Sequence, residues 1–169
     1  TTAMGGCAGL SDVNIISTQD ELELGRQFSK EIESGEVKLY QDAEVNAYVD
    51  SLGQLLARNS DRNDIPYVIK VVDTDEVNAF AIPGGDIYVY SGLILAADDE
   101  AELAAVLGHE IAHVTQRHIA ERLVTQLGVA TVLDLALGND PTQLAVIAAQ
   151  LAATGTLLKF TRDQESEAD

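Results

Sequence analysis

His109, Glu110 and His113 are the residues of this 169-residue chain whose types and spacing are best suited to chemistry. On an α-helix, positions four apart lie about 40° apart around the axis and about 6 Å apart along it, so both imidazoles can address one ion. Glu110 falls beside them. The spacing H-E-x-x-H on a helix is the pattern of zinc-dependent peptide hydrolysis, with two imidazole ligands and a carboxylate activating a zinc-bound water. Glu110 is then a base and not a ligand.

A catalytic zinc ion has three protein ligands and leaves a fourth position for water. The remaining histidine, His118, lies five residues beyond His113, about 140° away around a continuous helix, and is expected to face solvent. Cys7, the single cysteine, lies at the far end of the chain. A carboxylate is the default third ligand, but with 28 acidic residues spacing does not choose among them. The best local candidate is "QESEAD", where Glu165 and Asp169 are four apart and would share a helical face. One would be available to the metal and the other to the free N–H of a histidine. A solvated acidic face is the competing explanation.

The elements that must hold these residues follow from periodicity. Thr18 and Glu21 have capping-box spacing and open one helix, and Asp42 caps a second with Val45, Val49, Leu52 and Leu56 on one stripe. The segments "YVIKVVD", "NAFAIP" and "IYVYS" are short, rich in β-branched and aromatic residues and bounded by Asp, Gly and Pro. They predict three mostly antiparallel strands, the last two joined by a hairpin turn at Pro83–Asp86. Asp99 and Glu102 again have capping-box spacing and start the helix that carries the histidines, with Leu103, Val106, Leu107, Ile111 and Val114 as its apolar face. Leu123–Leu137 and Leu144–Leu158 read as a helical hairpin turning at Gly138–Pro141.

A net charge of −18 repels a phosphate backbone, so nucleic acid is excluded as a partner. The apolar fraction of 46% belongs to a packed fold, read here as one domain over residues 18–169 behind a tail of residues 1–17. No stretch reaches the roughly 20 apolar residues of a transmembrane helix. The small-residue run "TTAMGGCAG" resembles the end of a bacterial lipoprotein signal, which makes Cys7 a candidate lipid anchor.

The blocks "NAFAIPGGDIYVYSGLI", "ELAAVLGHEIAHVTQRH" and "FTRDQESEAD" occur in this order and together resemble the gluzincin family of the CAAX prenyl proteases, HtpX and the BepA-like periplasmic proteases. The likeness runs from about Glu21 to Asp169. It implies an α+β, zincin-like fold: N-terminal helices, a small mostly antiparallel sheet with a substrate-binding edge strand, and an active-site helix followed by a helical hairpin. It further implies one Zn²⁺ per chain on His109, His113 and Glu165, with Glu110 as general base and Asp169 orienting a histidine. By the same resemblance, Gly84, Gly85, Asp86, Ile87 and Tyr88 would form the sheet edge on which an extended polypeptide adds as a strand. The domain would continue beyond Asp169. No oxyanion-stabilising residue is identified.

The expected function is a zinc metalloendopeptidase acting on extended or misfolded envelope proteins, located in the bacterial periplasm or cell envelope. The rival reading is a zinc-stabilised chaperone or binding module without proteolysis, in which a fourth ligand closes the site. Glu110 favours the enzyme, because a structural site has no use for a carboxylate there.

Overall fold

The structure is a computed structural model and describes residues 16–35, 37–154 and 162–169. The elements in chain order are α1 (Thr18–Ser34), α2 (Ala43–Arg58), β1 (Val68–Val72), β2 (Ala79–Ala81), β3 (Asp86–Tyr90), α3 (Ser91–Ala96), α4 (Glu100–Thr115), α5 (His118–Leu127), α6 (Val129–Ala136), α7 (Pro141–Thr154) and α8 (Arg162–Ala168). The result is a mixed α+β fold, largely helical, around a three-stranded sheet. Among the described residues no helix is long and apolar enough to cross a membrane. Cys7 and the tail before residue 16 lie outside the described residues.

The sheet order is β1-β3-β2, with β1 and β3 parallel and β2 and β3 antiparallel. The sheet is therefore mixed, not mostly antiparallel as expected, because the connection after β1 crosses the end of β3. Thr74 accepts from the Gly92 amide at 2.8 Å and its own amide donates to Ser91 Oγ at 3.0 Å. That crossing delivers β2 to the far side of β3, leaving β3 in the centre. The outer edge of β1 is met by the preceding loop, where Tyr40 N–H donates to Val71 O and Asp73 N–H to Lys38 O, both at 2.8 Å.

Strand alternation sorts the two faces. Register pairs Lys70 with Tyr88 and Phe80 with Tyr88, so these three share the face covered by α1. Phe80 stacks on Tyr88 at 5.0 Å, and Ser29 of α1 meets the Tyr88 hydroxyl at 2.9 Å. Ile69, Val71, Ile87, Val89, Ala79 and Ala81 form the opposite face, against α2 and α4. The approach of α2 is close: a Cβ on Gly53 would lie 2.2 Å from Ile69 Cγ1. Small residues in β2 likewise let α4 come near the sheet.

Helix α1 starts one residue earlier than the spacing suggests. Ser17 is the N-cap, accepting from Asp20 N–H at 3.0 Å, and Asp20 completes the box in place of Glu21. Glu21 is thereby free for another role and is 1% exposed. Its carboxylate accepts from Arg62 Nη1 and Nη2 at 2.9 and 2.8 Å and from Arg117 Nε at 2.7 Å. At the start of α4 only half the expected box forms: Asp99 accepts from Glu102 N–H, while the Glu102 carboxylate accepts from Asp98 N–H. The first arm of the expected hairpin is two helices, since Gly128 at φ +84° ends α5 and starts α6. Helix α1 packs across both α6 and α7.

Removing one member of a buried ion cluster leaves the others desolvated without compensation. Glu21→Ala is expected to lower stability by about 3 kcal/mol, read as a shift of the urea midpoint at unchanged slope. A loss under about 1 kcal/mol would mean that solvent replaces the carboxylate easily.

Candidate metal centre

Helix α4 is anchored at its start by Asp99 and buries Leu103, Leu107, Ile111 and Val114 at helical spacing. Burying that stripe fixes its rotation, which turns the adjacent His109 and His113 toward α8. His113 is 2% exposed. The Nε2 atoms of the two imidazoles face each other at 3.1 Å. Glu165 of α8 brings Oε2 to 3.3 Å from His109 Nε2 and Oε1 to 3.8 Å from His113 Nε2.

These three side chains are a cluster able to hold one ion. A tetrahedral zinc site with bonds of about 2.0–2.1 Å puts its ligand atoms about 3.3 Å from one another. The separations in this cluster fall around that figure, and two imidazoles with one carboxylate are a common zinc donor set. The residues present fit zinc.

Asp169 Oδ1 lies 3.0 Å from His109 Nδ1, the nitrogen turned away from the cluster. A carboxylate there holds the ring with its proton on Nδ1 and leaves Nε2 as a lone pair. Burial pushes His113 down to about 4, with the neighbouring His109 and His118 acting in the same direction and Asp169 opposing. A neutral imidazole is what metal ligation requires.

Glu110, next to His109 on α4, reaches the backbone of Ala81 in β2 and lies near enough to Glu165 to feel its charge. Burial pushes its carboxyl up to about 8, opposed by a hydrogen bond from the Ala81 backbone and reinforced by the nearby charge of Glu165. A carboxyl held near neutrality is suited to taking and returning a proton at ordinary pH.

The residues expected to form the substrate edge are placed differently. Asp86, Ile87 and Tyr88 belong to β3, which is the central strand and not an edge. Ile87 and Tyr88 are fully buried, and Asp86 is 2.9 Å from Lys70 Nζ. Gly84 and Gly85 adopt φ +89° and +108° in the turn before β3. The space beside them is filled by the chain itself, since a Cβ would lie 3.2 Å from Glu21 O and 2.3 Å from Pro66 O, respectively. The strand at the sheet edge beside α4 is β2, and its three residues are buried. Its register pairs with β3 through residues 78, 80 and 82, so the backbone groups of Ala79 and Ala81 point outward.

His118 is also not where a continuous helix would put it. Helix α4 stops at Thr115, and Arg117 takes the left-handed conformation at φ +60° before α5 begins. The turn folds His118 back against His113, leaving it 2% exposed. No Gly, Pro or Asn marks this corner. Its cause is tertiary, because the Arg117 side chain reaches Glu21 and donates from Nη2 to Ile16 O at 2.7 Å.

The profile of Peptidase family M48 matches residues 43–169. The chain is 31% identical over 170 residues to the beta-barrel assembly-enhancing protease of Escherichia coli, covering 95% of this chain and 35% of that protein. It is 36% identical over 137 residues to a putative beta-barrel assembly-enhancing protease of Vibrio cholerae, covering 76% and 28%. To the mitochondrial metalloendopeptidase OMA1 of Schizosaccharomyces pombe it is 30% identical over 158 residues, covering 92% and 47%. The chain thus spans about a third of the length of the bacterial relatives.

A carboxyl raised in the folded state makes stability depend on pH in a defined sense. Its contribution is full below the ordinary value of 4.5 and is lost as pH rises from there to about 8, because only the unfolded chain releases the proton readily. In the metal-free chain, Glu110→Gln is expected to stabilise by roughly a few kcal/mol at pH 8 and not at pH 4. Urea titrations at the two pH values check this, and equal effects at both would contradict it.

Proposed function

Because the chain belongs to peptidase family M48, a metallopeptidase family, we propose that His109, His113 and Glu165 hold one zinc ion and that the chain is a zinc-dependent endopeptidase. The observation that carries this reading is the division of labour around α4. Three donor atoms converge at 3.1–3.8 Å, while a separate carboxyl, Glu110, bridges from beside Glu165 to the backbone of the edge strand β2. A purely structural metal site has no use for the second feature.

An extended polypeptide would bind by adding to the outer edge of β2, pairing with the outward backbone groups of Ala79 and the Ala81 carbonyl, while the Ala81 amide donates to Glu110. This replaces β3 as the strand that receives substrate. Pairing of that kind reads backbone more than side chains, so the substrates would be unfolded or unassembled segments. It also sets the scissile carbonyl close to Glu110. When bound, zinc would supply a Lewis acid that polarises the carbonyl and lowers the pKa of water.

Glu110 takes a proton from the attacking water as its oxygen bonds to the carbonyl carbon. It returns that proton to the amide nitrogen as the C–N bond breaks. Asp169 keeps His109 oriented throughout. Action on misfolded envelope proteins, a periplasmic or cell-envelope location and a lipid anchor at Cys7 belong to the same proposal, supported by the sequence resemblance and by the names of the bacterial relatives.

Glu110→Gln is expected to reduce casein hydrolysis by about 100-fold or more while zinc content stays near one per chain. Glu165→Ala should instead lower zinc content at a fixed chelator concentration. Retained hydrolysis in the first variant would remove Glu110 as the base, and zinc bound without any cleavage by the wild type would favour a binding module.

A further inference from the structure

His118 is buried at the start of α5 with both ring nitrogens engaged. Its Nδ1 lies 2.9 Å from Nδ1 of His113, and its Nε2 lies 3.0 Å from Oε2 of Glu167 on α8. The His113 and His118 rings are 5.2 Å apart at 67°. His113 has turned its other nitrogen, Nε2, into the donor cluster with His109 and Glu165. A neutral imidazole carries one N–H, so between two Nδ1 atoms at hydrogen-bond distance only one can hold the proton.

The two arrangements are not equivalent. With the proton on His118 Nδ1, His118 Nε2 would turn a lone pair toward the Glu167 carboxylate, and His113 would carry its own proton on Nε2, where a ligand atom is needed. With the proton on His113 Nδ1, that ring donates to His118. His118 then holds its proton on Nε2, donates to Glu167, and leaves His113 Nε2 free. Only the second arrangement pairs every nitrogen favourably.

We propose that His118 and Glu167 are positioning residues that hold His113 in its metal-ligating tautomer, Glu167 choosing the tautomer of His118 and His118 choosing that of His113. His109 Nδ1 receives the same service from Asp169 directly, whereas the buried Nδ1 of His113 meets the ring of His118, which in turn meets Glu167. Arg117 makes the relay possible. Its left-handed corner, tied to Glu21 and Ile16 O, brings His118 under His113 and away from the continuation of α4. The inference rests on the reading of His109, His113 and Glu165 as a zinc site.

With only three histidines in the chain, the six ring nitrogens can be read by long-range ¹H–¹⁵N spectra of the zinc-loaded protein. The expected result is a proton on Nδ1 of His113 and on Nε2 of His118. A proton on Nδ1 of His118 would overturn the proposal. Zinc affinity by chelator competition supplies an independent measure. His118→Leu is expected to bind zinc about 10- to 100-fold more weakly. His118→Asn, whose Oδ1 can accept where Nδ1 does, should stay within a few-fold of wild type. Glu167→Ala changes a side chain that is 61% exposed and so leaves folding intact, and its affinity should fall about 10-fold. Equal losses in the Leu and Asn variants, or unchanged affinity in Glu167→Ala, would reduce His118 to packing. Wild type that binds no zinc would sink the metal-centre reading together with this one, whereas wild-type binding with no loss in any variant would sink this one alone.

Discussion

The carboxylate of Glu21 is the point on which the rest of the structure depends. It lies in the first turn of α1 and is almost wholly buried, a position tolerable for a charge only with close partners. Two guanidinium groups from distant parts of the chain supply them, Arg62 from the loop between α2 and β1 and Arg117 from the corner between α4 and α5. Arg62 also donates to Val114 O at the end of α4. One anion thus joins the N-terminal helix, the entrance to the sheet and the end of the helix that carries the histidines. A buried ion cluster adds little net stability, but its geometry is demanding, and here that geometry fixes where α4 must end.

From that end the architecture of the site follows. If α4 ran on, His118 would point into solvent and the buried face of His113 would need another polar partner. The corner at Arg117 instead folds the chain so that a second imidazole meets the first. Along α4, the alanines of β2 allow the helix to approach the sheet closely enough for Glu110 to contact the backbone of Ala81.

This explains which parts were legible in the sequence. The HExxH pair could be read because helical periodicity is local: four residues on one amphipathic helix share a face whatever surrounds them. The three strands, the cap at Asp42 and the turn at Pro83–Asp86 were legible for the same reason. Strand order was not, since β-pairing depends on where a connection crosses, and nothing in residues 73–78 announces a passage over the end of β3. The edge position was consequently expected of β3, whereas β3 is central and β2 lies at the edge. The end of α4 and the position of His118 were also hidden. Arginine in a left-handed conformation has no local signature, and the pull on Arg117 comes from Glu21, whose own spacing imitates a helix cap. Glu165 was one acidic residue among many until its segment was matched as a block.

Among the described residues, the carboxylates paired with the histidines come from the seven-residue helix α8 and the residue after it: Glu165, Glu167 and Asp169. Three anions crowded on so short a segment, in a chain already carrying a net charge of −18, repel one another and gain little from docking on neutral imidazoles. A doubly charged ion held among His109, His113 and Glu165 would offset that repulsion, and its binding would then be coupled to the docking of α8.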